Sequence, residues 1–125
     1  MEKANITDCE LIVMNAVWEG EKDKTLMEIL DIVHNRYQKY WKSQTVSTFL
    51  KRLIDKKFVS FYRIGRQYFY HAEIAKGACF VKEVVEYADL WNHTASDFLA
   101  AFCEGGKVDD QELERMKKIL ADLEK

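Results

Sequence analysis

Apolar residues along the first seventy positions recur in two periods. Cys9, Ile12, Val13, Ala16 and Val17 fall three and four apart, the spacing of one helix face. Thr7-Asp8-Cys9-Glu10 has capping-box spacing: the Thr7 hydroxyl can accept from the amide three residues on while Glu10 reaches back. Thr25-Leu26-Met27-Glu28 repeats it, and Leu26, Ile29, Leu30, Val33 and Tyr37 form a second stripe. Val46, Phe49, Leu50, Leu53 and Ile54 make a third, at i, i+3, i+4, i+7 and i+8. From Phe58 to His71 the types change. Val59, Phe61, Tyr62 and Ile64, then Tyr68, Phe69 and Tyr70, are strand-prone residues either side of Gly65-Arg66. This predicts a β-hairpin with Arg63 and Arg66 at or near its tip, with the register left open.

Helical spacing returns after Ala72. Phe80, Val81, Val84, Val85, Ala88 and Trp91 stripe a long helix; Ala95, Phe98, Leu99 and Phe102 stripe a short one. Val108, Leu113, Met116, Ile119, Leu120 and Leu123 mark a last helix, capped by Asp109-Asp110. The chain has no proline, so turns are assigned to Gly20, Gly65, Gly77 and Gly105-Gly106. Two domains follow, 1–72 and 73–125. The second is small for an independent core, yet its stripes are too apolar to face water. The physical answer is a second copy of the chain, joined through Phe80, Val84, Trp91, Phe98, Leu99, Phe102, Leu113, Met116 and Leu120.

The fold class is therefore mainly α: three helices plus a hairpin wing in winged helix-turn-helix order, then a three-helix dimerisation tail. In that architecture the third helix enters the major groove and two copies read two half-sites. Charge first seems to oppose this. The 125 residues carry 19 basic and 21 acidic side chains, a net −2. Between Arg36 and Arg66, however, nine basic residues face only Asp55, a local +8, and the remainder carries −10. On the third helix, a rotation of about 100° per residue places Gln44, Thr48, Lys51 and Asp55 opposite the apolar stripe. Ser47 and Arg52 lie at the margins of that face, and Thr45 between it and the stripe. Short polar groups first and cations later suit a helix that meets base edges and reaches phosphates. The expected DNA-binding set is Lys42, Ser43, Gln44, Thr45, Ser47, Thr48, Lys51, Arg52, Arg63 and Arg66.

Other classes find little support. No uncharged run exceeds eight residues, Leu11–Trp18 being one, so no spanning helix is expected. No signal-peptide pattern opens the chain, and three scattered cysteines make no disulfide framework, so a cytoplasmic location is expected. His34, His71 and His93 share no metal-ligand spacing with one another or with Cys9, Cys79 and Cys103, and no metal or cofactor is expected. Cys103 reads as a buried structural cysteine, Trp18 and Trp41 as core anchors, and Tyr62, Tyr68 and Tyr70 as hairpin packing. No phosphate loop, nucleophile elbow or carboxylate pair with a histidine suggests an enzyme.

Asp8-Cys9-Glu10 with Val13-Met14-Asn15-Ala16-Val17-Trp18 resembles the opening of the penicillinase and methicillin-resistance repressors, the BlaI/MecI family. Trp41 followed by Thr45-Val46-Ser47-Thr48-Phe49-Leu50-Lys51-Arg52-Leu53 resembles that family's recognition helix, and Gly65-Arg66-Gln67-Tyr68-Phe69-Tyr70 its wing. The resemblance implies a dimeric repressor on a palindromic operator. Thr45 and Thr48 match the recognition-helix threonines, and Arg66 the wing arginine. Three positions depart. Lys42-Ser43-Gln44 replaces Ser-Pro-Lys, and Lys57 stands where a glycine commonly follows the helix. The third is Ala101-Phe102, which replaces an Asn-Phe bond that a membrane sensor-protease cuts in several members. A sensor-protease is thus a partner implied by the resemblance, with its target bond altered here. The copper-responsive relatives' C-terminal Cys-x-Cys is absent. Two alternatives stay open: a winged-helix module docking an acidic protein, and a transcriptional activator answering an unknown signal.

Overall fold

Both expected capping boxes close. The Thr7 hydroxyl accepts from the Glu10 amide at 3.2 Å while the Glu10 carboxylate accepts from the Thr7 amide at 3.1 Å. Thr25 and Glu28 repeat this at 3.2 and 2.9 Å. These caps start α1 (Asp8–Trp18) and α2 (Leu26–Tyr37). A 3₁₀ turn at Glu19–Glu21, with Gly20 at φ 70°, lies between them. Then come α3 (Ser43–Asp55), β1 (Val59–Ile64), β2 (Gln67–Ala72), α4 (Lys76–Trp91), α5 (Ala95–Glu104) and α6 (Asp110–Leu123). This computed structural model describes residues 6–124. The chain divides into two compact units, Met1–Cys79 and Phe80–Lys125.

In the first unit α1 packs against α2, α3 and β2. Its burial therefore runs round much of the helix, and Met14, off the expected stripe, is fully buried beside Val13, Ala16 and Val17. Ile29, Leu30 and Val33 of α2, Val46, Leu50 and Leu53 of α3, and Val59 of β1 complete the core. Trp18 and Trp41 pack at its edge; the Trp18 indole donates to the Ile74 carbonyl at 2.8 Å.

Two charged residues lie inside. Glu10 is 1% exposed and meets the Lys56 ammonium at 2.6 Å, tying α1 to the end of α3. Burial alone would raise the Glu10 carboxyl; the Lys56 hydrogen bond and the Thr7 amide outweigh it, and it sits below its usual 4.5. The Lys24 ammonium donates to the carbonyls of Val17, Glu19 and Lys22, a cation at the negative end of α1.

The hairpin is antiparallel, with Val59 opposite Ala72, Phe61 opposite Tyr70 and Arg63 opposite Tyr68. Gly65, at φ 63°, takes the left-handed first position of the two-residue turn, and Arg66 the second. Lys24 adds a single bridge to the outer edge of β2, exchanging both backbone hydrogen bonds with Tyr70 at 3.2 and 2.8 Å.

The second unit has well-formed helices and no interior. Thr94 and Asp97 close a capping box on α5, and the Asp109 carboxylate accepts from the Glu112 amide on α6. Yet none of the described residues from Phe80 on is buried. Close backbone approaches, present among α1, α2 and α3, are nearly lacking among α4, α5 and α6. Two expectations are corrected. Gly77 lies inside α4 and makes no turn, and Cys103 is exposed because the tail has no core to hold it. Among the described residues no helix is long and apolar enough to cross a membrane.

Candidate nucleic-acid interface

Four helices close their N-termini with a side chain: Thr7, Thr25, Thr94 and Asp109. α3 does not. Its N-cap is Lys42, whose side chain caps nothing, and no acid stands in its first turn. The amides of Thr45 and Val46 already turn back to the Lys42 carbonyl. Those of Ser43 and Gln44 lead the helix with the positive end of its dipole behind them.

From this open end the expected face runs outward. Lys42, Ser43, Gln44, Thr48, Lys51 and Arg52 are exposed, and Thr45 and Ser47 half-buried at its margins. The Thr48 hydroxyl donates to the Gln44 carbonyl at 3.0 Å, which turns its oxygen lone pairs outward as acceptors. Arg52 lies over the Phe49 ring at 5.8 Å.

The helix ends in a Schellman turn: Lys57 donates to Ile54 O and Phe58 to Leu53 O. Lys57 thereby takes φ 69°, a conformation that favours glycine.

Once the register is known, the hairpin sorts its side chains. Val59, Phe61, Arg63, Tyr68, Tyr70 and Ala72 share one face. Phe61, Tyr68 and Tyr70 of this face, with Ser47, Leu50, Lys51 and Ile54 of α3, line a groove of about 290 Å³. Phe61 and Tyr68 are 52% and 45% exposed, and the Arg63 guanidinium lies 5.9 Å from the Tyr68 ring centre. Of the three hairpin tyrosines only Tyr70 packs on the core, whereas Tyr62 and Tyr68 reach solvent. Arg66 is exposed at the turn. Periodicity missed Phe61 and Tyr68 because the side each residue faces follows from the register. Tyr40, 76% exposed just before α3, was also missed.

Not all nine cations of the basic stretch are available. Arg36 pairs with Glu19 at 3.1 Å and Lys56 with Glu10, so setting these two pairs and Asp55 against the nine leaves six positive charges. On the opposite hairpin face, Asp23 accepts from the Tyr62 hydroxyl and contacts His71 Nδ1, both at 2.7 Å. The Tyr62 and His71 hydrogen bonds hold Asp23 below its usual range; the same carboxylate raises His71 and Tyr62.

Residues 6–122 match the family profile described as penicillinase repressor. The chain belongs to the penicillinase repressor family. Over 60% of its length it is similar to the solution structure of the DNA binding domain of the repressor BlaI. That match has a TM-score of 0.51 and 27% sequence identity and covers 90% of that chain. A second match is the solution structure of monomeric Bacillus licheniformis BlaI in complex with the blaP half-operator. There the identity is 27%, with 60% of this chain and 88% of that one covered and a TM-score of 0.49. No curated protein matches the chain. The winged-helix reading of the first unit thus rests on element order, register and family together, and the family is one of repressors, not an enzyme class.

The tail residues expected to meet a second copy lie in the second unit of this family member. Phe98 and Met116 are half-buried; Phe80, Val84, Trp91, Leu99, Phe102, Leu113 and Leu120 are exposed, Phe80 and Trp91 by 67% and 57%. Phe98, Leu99, Phe102 and Met116 line a groove of about 470 Å³ that also borders Lys107 and Glu112. Ala101 and Phe102 sit within α5.

Proposed function

We propose that the protein is a homodimeric, cytoplasmic, sequence-specific DNA-binding repressor acting on a palindromic operator. The observation that carries this is the open, acid-free N-terminus of α3. It presents Ser43, Gln44, Thr48 and Lys51 beside a hairpin that carries Arg63 and Arg66. Short polar groups at the start of α3 read base edges in the major groove. Lys42, Lys51, Arg52, Arg63 and Arg66 supply affinity by displacing counterions from phosphates.

One such head discriminates weakly, and dimerisation supplies the second. What supports the dimer is the tail: its apolar residues have no interior within the chain, and a second copy would bury them. Two heads would then reach half-sites separated by whole helical turns of DNA, about 34–36 Å each.

The test is a titration of the full chain against a duplex selected from a random pool, and against a random-sequence duplex, over a salt series. Arg66→Ala is expected to weaken both and flatten the salt slope by about one. Thr48→Ala is expected to cost about 1 kcal/mol on the selected duplex and little on the other. Binding absent at low salt, or indifferent to salt, would overturn the reading.

A further inference from the structure

A two-stranded hairpin is marginal by itself, so its direction depends on what grips it. On the inner face Val59 and Tyr70 anchor it to the core. On the outer face the grip is one side chain. Asp23, in the connection before α2, accepts from Tyr62 of β1 through one carboxylate oxygen and contacts His71 of β2 through the other. The backbone next to it, at Lys24, is bridged to Tyr70. Both strands are thus held by one carboxylate, through Tyr62 near the middle of β1 and His71 toward the open end of β2. Tyr62 also stacks on Phe69, with ring centres 5.5 Å apart. Arg63 follows Tyr62 directly, and Arg66 lies about 10 Å further along at a strand's rise. A change of about 10° at the grip therefore moves the turn that carries Arg66 by about 2 Å over that lever.

We propose that Asp23 is a positioning residue for the arginines of the wing, so that DNA affinity depends on an anion acting through the hairpin. This rests on the DNA-binding reading above. The charged groups near the cluster have other engagements or are solvated. The Lys24 ammonium is held by three carbonyls, and Lys22 lies 4.0 Å from Glu28. Glu21, Glu73 and Lys76 line the same open recess as Asp23 and His71.

The proposal makes a prediction opposite in sign to simple electrostatics. Removing a negative charge from a protein that binds a polyanion should tighten binding. Loss of the latch should weaken it. The experiment titrates full-length wild type, Asp23→Asn, Tyr62→Phe, Arg63→Ala/Arg66→Ala and Asp23→Asn/Arg63→Ala/Arg66→Ala against a random-sequence duplex at fixed salt. Asp23→Asn is expected to weaken binding roughly three- to tenfold, the scale of one ordinary hydrogen bond's net contribution. Tyr62→Phe, which changes no charge, is expected to weaken it by a smaller factor. Asp23→Asn should have no further effect once both arginines are gone, because residues acting through one element are not additive. Asp23→Asn that binds as tightly as wild type or tighter overturns the proposal. So does a loss that persists in the arginine-free background, which would mark Asp23 as a stability residue only. If Asp23→Asn does not fold, Tyr62→Phe, alone and combined with Arg63→Ala/Arg66→Ala, decides by the same two criteria. Wild type that binds no duplex would instead overturn the DNA-binding reading itself.

Discussion

The first unit closes on itself and the second does not. Residues 6–79 bury eleven aliphatic side chains in one cluster and two charged residues, each of the latter met by an opposite charge or carbonyls. From Phe80 to Glu124 the helices are as well capped, yet no residue is buried. Local signals build helices equally in both halves. What differs is whether the apolar faces find one another within the chain. In the first unit, α1 lies against α2, α3 and β2. In the second, Phe80, Trp91, Leu99, Phe102, Leu113 and Leu120 remain at the surface.

The comparison breaks most sharply at Trp91. If the tail is a dimer interface, Trp91→Asp should convert the full chain to a monomer in sedimentation equilibrium. It should also lower affinity for a two-half-site duplex by roughly a hundredfold or more, the scale of lost bivalency. A dimer that survives the change would mean that the exposed face serves something else.

Next in size is the buried pair of the first unit. Lys56→Met leaves the Glu10 carboxylate buried without its cation. We expect a loss of about 2–3 kcal/mol at neutral pH, less than for a fully buried pair because Lys56 is a quarter exposed. The pH dependence has a definite sign. The folded carboxyl lies below its usual 4.5, so its contribution is present above that value and lost as pH falls through the folded one. Denaturant melts at pH 7 and pH 4 should therefore show the cost of Lys56→Met shrinking in acid. A cost that is the same at both would show that the pair adds nothing electrostatic.

The smallest effect sharpens the comparison by a gain. Lys57 holds a left-handed conformation at the end of α3, one that glycine adopts without strain. Lys57→Gly should stabilise the first unit by up to about 1 kcal/mol, seen as a higher denaturant midpoint. No change or a loss would mean that the lysine stem earns back its strain through packing.

Much of the first unit was legible because its signals are local. The Thr7 and Thr25 boxes, the three stripes and the Gly65-Arg66 turn each lie within a few residues of sequence. The contacts that tune the site were not legible, because they join distant positions. Glu10 and Lys56 are 46 apart, Asp23 and His71 48 apart, and Asp23 and Tyr62 39 apart. Local sequence marks Phe61 as a strand residue and Tyr68 as hairpin packing but does not say which way they face, since a shift of one in register turns both to the other face. Cys103 was expected to be buried on the strength of its residue type. That expectation failed because burial needs a second surface, which the tail lacks within one chain.

The helices, the hairpin, the concentration of positive charge between Arg36 and Arg66 and the apolar excess of the tail are all legible in local stretches of chain. Each follows from propensity, capping or composition, which act over a turn or two of chain. Long-range packing decided that two of those cations are neutralised by Glu10 and Glu19, and that the start of α3 stays open. It also decided that a single carboxylate grips both strands of the wing from behind. These depend on which distant side chains meet when apolar faces pack, and charge, hydrogen bonding and exposure take their values only after that packing is complete.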